Sequence, residues 1–169
     1  MPLANAVDNL NVTKIHLEEA NLKLDGVGNI SSTDFDCTLN SVVTLAGNVL
    51  LTTSPHLTIS NFTMNLTEQA AIAEGIDLYI ENNGKLLINY GNLTDDFVYS
   101  PTELFDADEL MPNLTFKNIY VRTNSAIYGS KIIMSADYIS ILENSTFSAD
   151  GLGLYGGFYG HPSTAGSGL

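Results

Sequence analysis

The stretch PHLTISNFTM (residues 55–64) decides the fold, and PNLTFKNIYV (112–121) repeats its pattern further along the chain. Both follow P-x-L-T-[IF]-x-N-[FI]-x-[MV], and in both the hydrophobic alternation changes phase at the asparagine. Leu57 and Ile59 share one parity, and Phe62 and Met64 take the other; Leu114 and Phe116 give way to Ile119 and Val121. A strand buries alternate residues, so a phase change moves the chain's inward face by one residue. A residue in the left-handed region does this without a loop, and asparagine tolerates that region better than most. Asn61 and Asn118 are therefore read as corner residues of a coil that continues past them.

Working outward, other segments follow the same grammar. Leu22 and Leu24 precede a bend at Asp25-Gly26, and Ile139 and Ile141 precede Asn144, with Phe147 and Ala149 after it. Short alternating runs fill most of the rest: VVTLAGNVLL (42–51), IDLYIE (76–81), KLLINY (85–90), SAIYGSKIIMSA (125–136) and YISILE (138–143). TEQAAIAEG (67–75) is the best helix candidate, at one or two turns. Asn83-Gly84 is the one good hairpin turn, too few for a seven-stranded sandwich. The expected fold is all-β: a parallel β-helix over residues 1–150, at roughly 20–27 residues per coil and about six to eight coils. Residues 151–169, with seven glycines, read as a flexible loop or linker tail.

Composition narrows the function classes. The 169-residue chain carries 19 acidic and 6 basic residues, a formal net charge of −13, with Arg122 its single arginine. Clustered cations are what nucleic acid and anionic lipid surfaces require, so both partners are excluded. No apolar run reaches the length of a membrane-spanning helix. Cys37, the lone cysteine, has no internal disulfide partner and reads as a small buried hydrophobe.

Asn-x-Ser/Thr occurs seven times, at Asn11, Asn29, Asn61, Asn65, Asn92, Asn113 and Asn144. With 17 Asn and 29 Ser plus Thr, chance accounts for about three. The excess points to an extracellular or cell-surface chain carrying N-glycans on its outer positions. MPLANAVDNL has neither a basic n-region nor an apolar h-region, so the expectation is a fragment or processed piece of a longer precursor. Asn61 is the weaker glycan candidate, because its counterpart Asn118 has no sequon and the shared role is then the corner.

The acidic residues include candidates for calcium binding. Asp106, Asp108 and Glu109 in FDADEL, and Asp34 with Asp36 on one strand face, are weak Ca²⁺ candidates, and no EF-hand pattern supports them. Tyr155, Phe158 and Tyr159 could stack on a sugar or pack the tail onto the coil. His16 and His56 lack partners at metal-ligand spacing, so no cofactor is expected.

The segment 125–153 also resembles coils of large surface proteins of microbial eukaryotes and some bacterial adhesins. Ile127-Tyr128, Ile132-Ile133-Met134, Ala136, Ile139, Ile141 and Ser148-Ala149-Asp150-Gly151 fall on that family's G-S-I-Y-I-x-A … I-S-A-x-G-G pattern. Ser125-Ala126 depart from it where the family places glycine. The resemblance covers about 45 residues well and implies a right-handed, pectin-lyase-like parallel β-helix. Enzymes resembling pectate lyases or polygalacturonases pair carboxylates with Arg-x-Lys or Gly-His-Gly signatures. Asp95-Asp96, Arg122 in VRTN and His161 in YGHPS do not form those sets. The expectation is a non-enzymatic structural glycoprotein that stacks end to end into a filament, coat or adhesive surface. The alternative is a polysaccharide-binding or polysaccharide-cleaving β-helix.

Overall fold

In the computed structural model, which describes residues 9–26, 28–89, 113–129 and 132–148, the opening stretch behaves as its parity requires. Leu57, Ile59, Phe62 and Met64 are all buried, and Asn61 between them is exposed with φ 64°. The chain turns a corner at Asn61 and keeps its apolar side chains inside.

Fourteen strands follow one another among the described residues: β1 Asn9–Leu17, β2 Asn21–Asp25, β3 Gly28–Cys37, β4 Ser41–Ala46, β5 Val49–Thr52, β6 His56–Ser60, β7 Phe62–Thr67, β8 Ala71–Ile72, β9 Asp77–Glu81, β10 Lys85–Asn89, β11 Leu114–Val121, β12 Ala126–Gly129, β13 Met134–Ile141 and β14 Thr146–Ser148. They form three sheets, ordered β1-β3-β5-β8, β14-β12-β10-β7-β4-β2 and β13-β11-β9-β6. Every pairing is parallel. Successive strands lie in different sheets and return to the first after one coil, which defines a parallel β-solenoid. Six strands in the second sheet mark about five turns among the described residues, against the six to eight expected of the whole chain.

The register sets the coil length. Asn9 pairs with Asn29, Ser41 with Phe62, and Thr63 with Lys85, so a coil takes 20 to 22 residues. Between Asp77 and Asn118 the step is 41, with residues 90–112 lying in the sequence between β10 and β11. The solenoid core is a set of axial columns. Val43, Met64, Leu86 and Ile127 stack in one; Leu57, Leu78 and Ile119 in another; Ile59, Ile80 and Val121 in a third. All ten are essentially sealed from solvent. Each such side chain contributes about 1.5–3 kcal/mol of burial, and the columns bind consecutive coils into one core.

Left-handed residues mark the corners in two axial rows. Glu19, Asn40, Asn61, Asn83, Asn124 and Asn144 precede the strands of the second sheet, and Gly26, Gly47 and Glu68 follow them. Three of the first row have the same local build. Ser41, Ser125 and Ser145 each donate a backbone N–H to the carbonyl three residues earlier, at 3.1–3.2 Å, with asparagine at the third turn position. A positive φ there is what a type II turn requires.

Four expectations need correction. Asn118 is not a left-handed corner: it lies inside β11, which keeps extended backbone and shifts parity by facing Lys117 and Asn118 outward in succession. The shared pattern of residues 55–64 and 112–121 is therefore not an axial alignment. His56 stacks on Asp77 and Asp77 on Asn118, so Leu57 aligns with Ile119 and not with Leu114. The helix candidate at 67–75 forms no helix, since Glu68 takes φ 57° and Ala70 and Ile72 both point into the core at strand spacing. Asn83-Gly84 joins no hairpin. Asn82 and Asn83, both at positive φ, turn the chain from the third sheet into the second.

Candidate functional site

The outer face of the third sheet carries the densest set of chemical groups among the described residues. Its outward positions stack by register, so His56, Asp77, Asn118 and Tyr138 form one column and Thr58, Tyr79, Tyr120 and Ser140 the next. Tyr79 and Tyr120 stack with centroids 4.8 Å apart and an interplanar angle of 8°. His56 meets Tyr79 edge-on at 5.7 Å, and Tyr138 tilts against Tyr120 at 5.9 Å. The spacing follows from the sheet itself, because neighbouring parallel strands lie about 4.8 Å apart.

Charged groups flank this aromatic strip and are mutually engaged. Arg122 bonds the Glu81 carboxylate at 2.8 Å and lies 5.3 Å from the centroid of the Tyr79 ring. Asn118 donates its Nδ2 to Asp77 Oδ1 at 2.7 Å. Partial burial, and then the neighbouring Tyr79, push the Tyr120 phenol above its ordinary range, so it stays a neutral donor and acceptor. The arrangement offers ring edges and fixed hydrogen-bonding groups on a ridge, which suits recognition. Both carboxylates, Asp77 and Glu81, already have partners.

A second cluster lies on the outer face of β1 and β3. Lys14 Nζ sits 2.9 Å from Asp36 Oδ2 and 3.9 Å from Asp34. His16 bridges Glu18 Oε1 at 3.2 Å and Asp36 Oδ2 at 3.1 Å. Hydrogen bonding to Glu18, and next to Asp36, raises the His16 pKa above 6.5. Lys14, followed by His16, holds the Asp36 carboxyl below its ordinary value. Asp34 and Asp36 thus face cations of their own chain. Among the described residues no group of three or more His, Cys, Asp or Glu could hold a metal.

The third feature is the last described coil. Ile139, Ile141 and Phe147 continue core columns, stacking on Ile119, Val121 and Ile127. They remain 47%, 49% and 36% exposed, and Leu142 beside them 50%. Ile119, Val121 and Ile127, one coil below, are buried outright. Among the described residues β13 and β14 pair on one side only, with β11 and β12. This end therefore presents uncovered apolar columns together with an open sheet edge.

Of the glycan candidates, Asn11, Asn29, Asn61, Asn113 and Asn144 are exposed. Asn29 is partly committed, donating Nδ2 to Asn9 Oδ1 at 3.4 Å. Asn65 is half-buried in the middle of β7, with its Oδ1 enclosed and without a hydrogen-bond partner. Asn92, the acidic set Asp106, Asp108 and Glu109, Asp95-Asp96, the tail aromatics Tyr155, Phe158 and Tyr159, and His161 lie outside the described residues. Cys37 is buried, as read from the sequence, and burial pushes its thiol pKa up.

The tyrosine strip escaped the sequence reading because its members lie 41 and 18 residues apart, off the coil period. A usable clue was present in the corners. Asn-Ser at 40–41, 124–125 and 144–145 marks the same turn, and Ser41 and Ser125 are buried directly behind it. No helix among the described residues is long and apolar enough to cross a membrane. Comparison with protein-family models, with curated proteins and with solved structures finds no match for this chain.

Proposed function

We propose that this chain is a structural building block of the extracellular or cell-surface type, a β-solenoid that joins other coils end to end in a filament, coat or adhesive surface. The observation that carries the reading is the last described coil, where Ile139, Ile141, Leu142 and Phe147 stand uncovered on an open sheet edge. Water at that end meets apolar surface and an unpaired strand edge, and a further coil buries the first and pairs the second. Five exposed sequons support the glycoprotein part of the reading. The right-handed coil and the surface-protein kinship rest on the resemblance of residues 125–153.

Negative-stain microscopy and sedimentation of the chain test this. The expected result is concentration-dependent rods about 25 Å or a multiple of it in length. Ile139→Asp and Ile141→Asp, placed where solvent already reaches, leave the circular dichroism unchanged and abolish the rods. Monodisperse particles at high concentration overturn the reading. Intact mass before and after glycosidase treatment of chain secreted from a eukaryotic host tests the glycan part.

The strip of His56, Tyr79, Tyr120 and Tyr138 beside Arg122 favours a second reading, recognition of a neutral oligosaccharide along the third sheet. Titration of oligosaccharides against tyrosine fluorescence, with Tyr138→Ala as control, separates the two.

A further inference from the structure

The first and last long strands of the solenoid carry the same inward code. In β1 the core-facing residues are Leu10, Val12, Ile15 and Leu17, with Thr13 and Lys14 outward in succession. In β13 they are Met134, Ala136, Ile139 and Ile141, with Asp137 and Tyr138 outward in succession. The pairing of each with its neighbour is interrupted at the same place. The β1–β3 ladder passes from Val12↔Ser32 to Lys14↔Asp34, and the β11–β13 ladder from Phe116↔Ala136 to Asn118↔Tyr138. Both strands thus bend at one position between two two-residue apolar steps. Among the described residues β1 pairs only with β3 and β13 only with β11, so each offers one free edge of this shape, at opposite ends of the stack.

We infer that β13 of one copy adds in parallel to β1 of a second copy, in the register Met134 on Leu10, Ala136 on Val12, Ile139 on Ile15 and Ile141 on Leu17. The inference rests on the scaffold reading and names its partner and geometry. In this register the second-sheet column also continues, with Phe147 over Leu22. Every inward residue meets an apolar one. On the outer face Tyr138 comes beside Lys14 and Ser140 beside His16, with Asp137 next to the Lys14 ammonium. A cation beside a tyrosine ring and a diagonal carboxylate is a favourable set. Glu143 approaches Glu19 at the corner, a like-charge contact that salt screens in this exposed position.

The competing arrangement is symmetric, β13 against β13. An antiparallel pair centred on the eight-residue β13 brings Asp137 of both copies to the twofold axis, which like charges oppose. A symmetric pair also closes after two copies. The parallel addition is heterologous and does not close, so it generates a fibre.

The test is a cross-link with the full chain. Ser140→Cys and His16→Cys are made singly; Cys37 is kept, since it is buried, and the parent chain is the control. Under mild oxidation the mixture of the two variants is expected to yield a disulfide heterodimer at least fivefold in excess of either homodimer, located by peptide mapping. Asp137→Cys, which the symmetric pair would place beside its twofold axis, is made as well, and homodimers of it matching the heterodimer overturn the register in favour of symmetric pairing. Assemblies seen by microscopy with no cross-link above the parent overturn it in favour of another contact. In both cases the scaffold reading stands. Chains that stay monomeric throughout overturn both, and show the end to be covered by the chain's own flanking segments or by other coils.

Discussion

Tyr79 and Tyr120 stack face to face on consecutive rungs of the third sheet, 41 residues apart in the chain, with ring centroids 4.8 Å apart. The separation is the strand spacing, so each ring covers a face of the other at no cost in backbone distortion. Together they make the surface of this sheet an aromatic ridge.

Truncating the ridge at its middle should weaken the solenoid measurably. Tyr120→Ala removes contacts to both Tyr79 and Tyr138 and is expected to cost about 1–2 kcal/mol in urea unfolding. Tyr120→Phe retains the stack and should stay within about 0.5 kcal/mol of the parent.

Burial along one core column predicts a strong position dependence. Leu78 and Ile139 belong to the same column, but Leu78 is fully buried and Ile139 is 47% exposed. Leu78→Ala is expected to cost about 2–5 kcal/mol, through lost burial and a cavity. Ile139→Ala should cost under about 1 kcal/mol in dilute monomer, and more once rods form. Thermal or urea melts at two concentrations check both.

Two asparagines with similar sequence surroundings should respond oppositely to glycine. Asn124 holds φ 62°, so Asn124→Gly is near neutral, whereas Asn124→Ala costs about 1–2 kcal/mol for the left-handed backbone. Asn118 lies in extended β11 and bonds Asp77, so Asn118→Gly is expected to cost about 1 kcal/mol or more. Urea midpoints of the three variants decide it.

The first coil should loosen toward both pH extremes. The folded pKa of His16 is raised, through Glu18 and then Asp36, so its contribution is complete below 6.5 and is lost as pH rises through the folded value. That of Asp36 is lowered, chiefly by Lys14, so its contribution holds above 3.8 and is lost as pH falls through the depressed value. Hydrogen exchange of residues 14–17, corrected for intrinsic rates, should show faster opening above the His16 transition. His16→Gln should abolish that alkaline limb and leave the acid one. All these groups are exposed, and the effect should shrink with added salt.

By itself the sequence determined that the chain is all-β and coils: alternation that changes phase at Asn61, and runs that break at residues tolerant of left-handed backbone at Gly26 and Asn144, state both facts locally, since parity and left-handed tolerance are properties of a few neighbouring residues. Only the tertiary structure decided which coil lies on which. The repeat of PHLTISNFTM at 112–121 is a true likeness of short strands, yet in the stack it is displaced by five residues. Asn61 therefore turns a corner while Asn118 lies in a strand and bonds Asp77. Register also built the tyrosine strip and gave the two end rungs their matching edges. Neither is written in any one segment, because axial neighbours come from residues at least 20 apart whose alignment is set by packing of the columns.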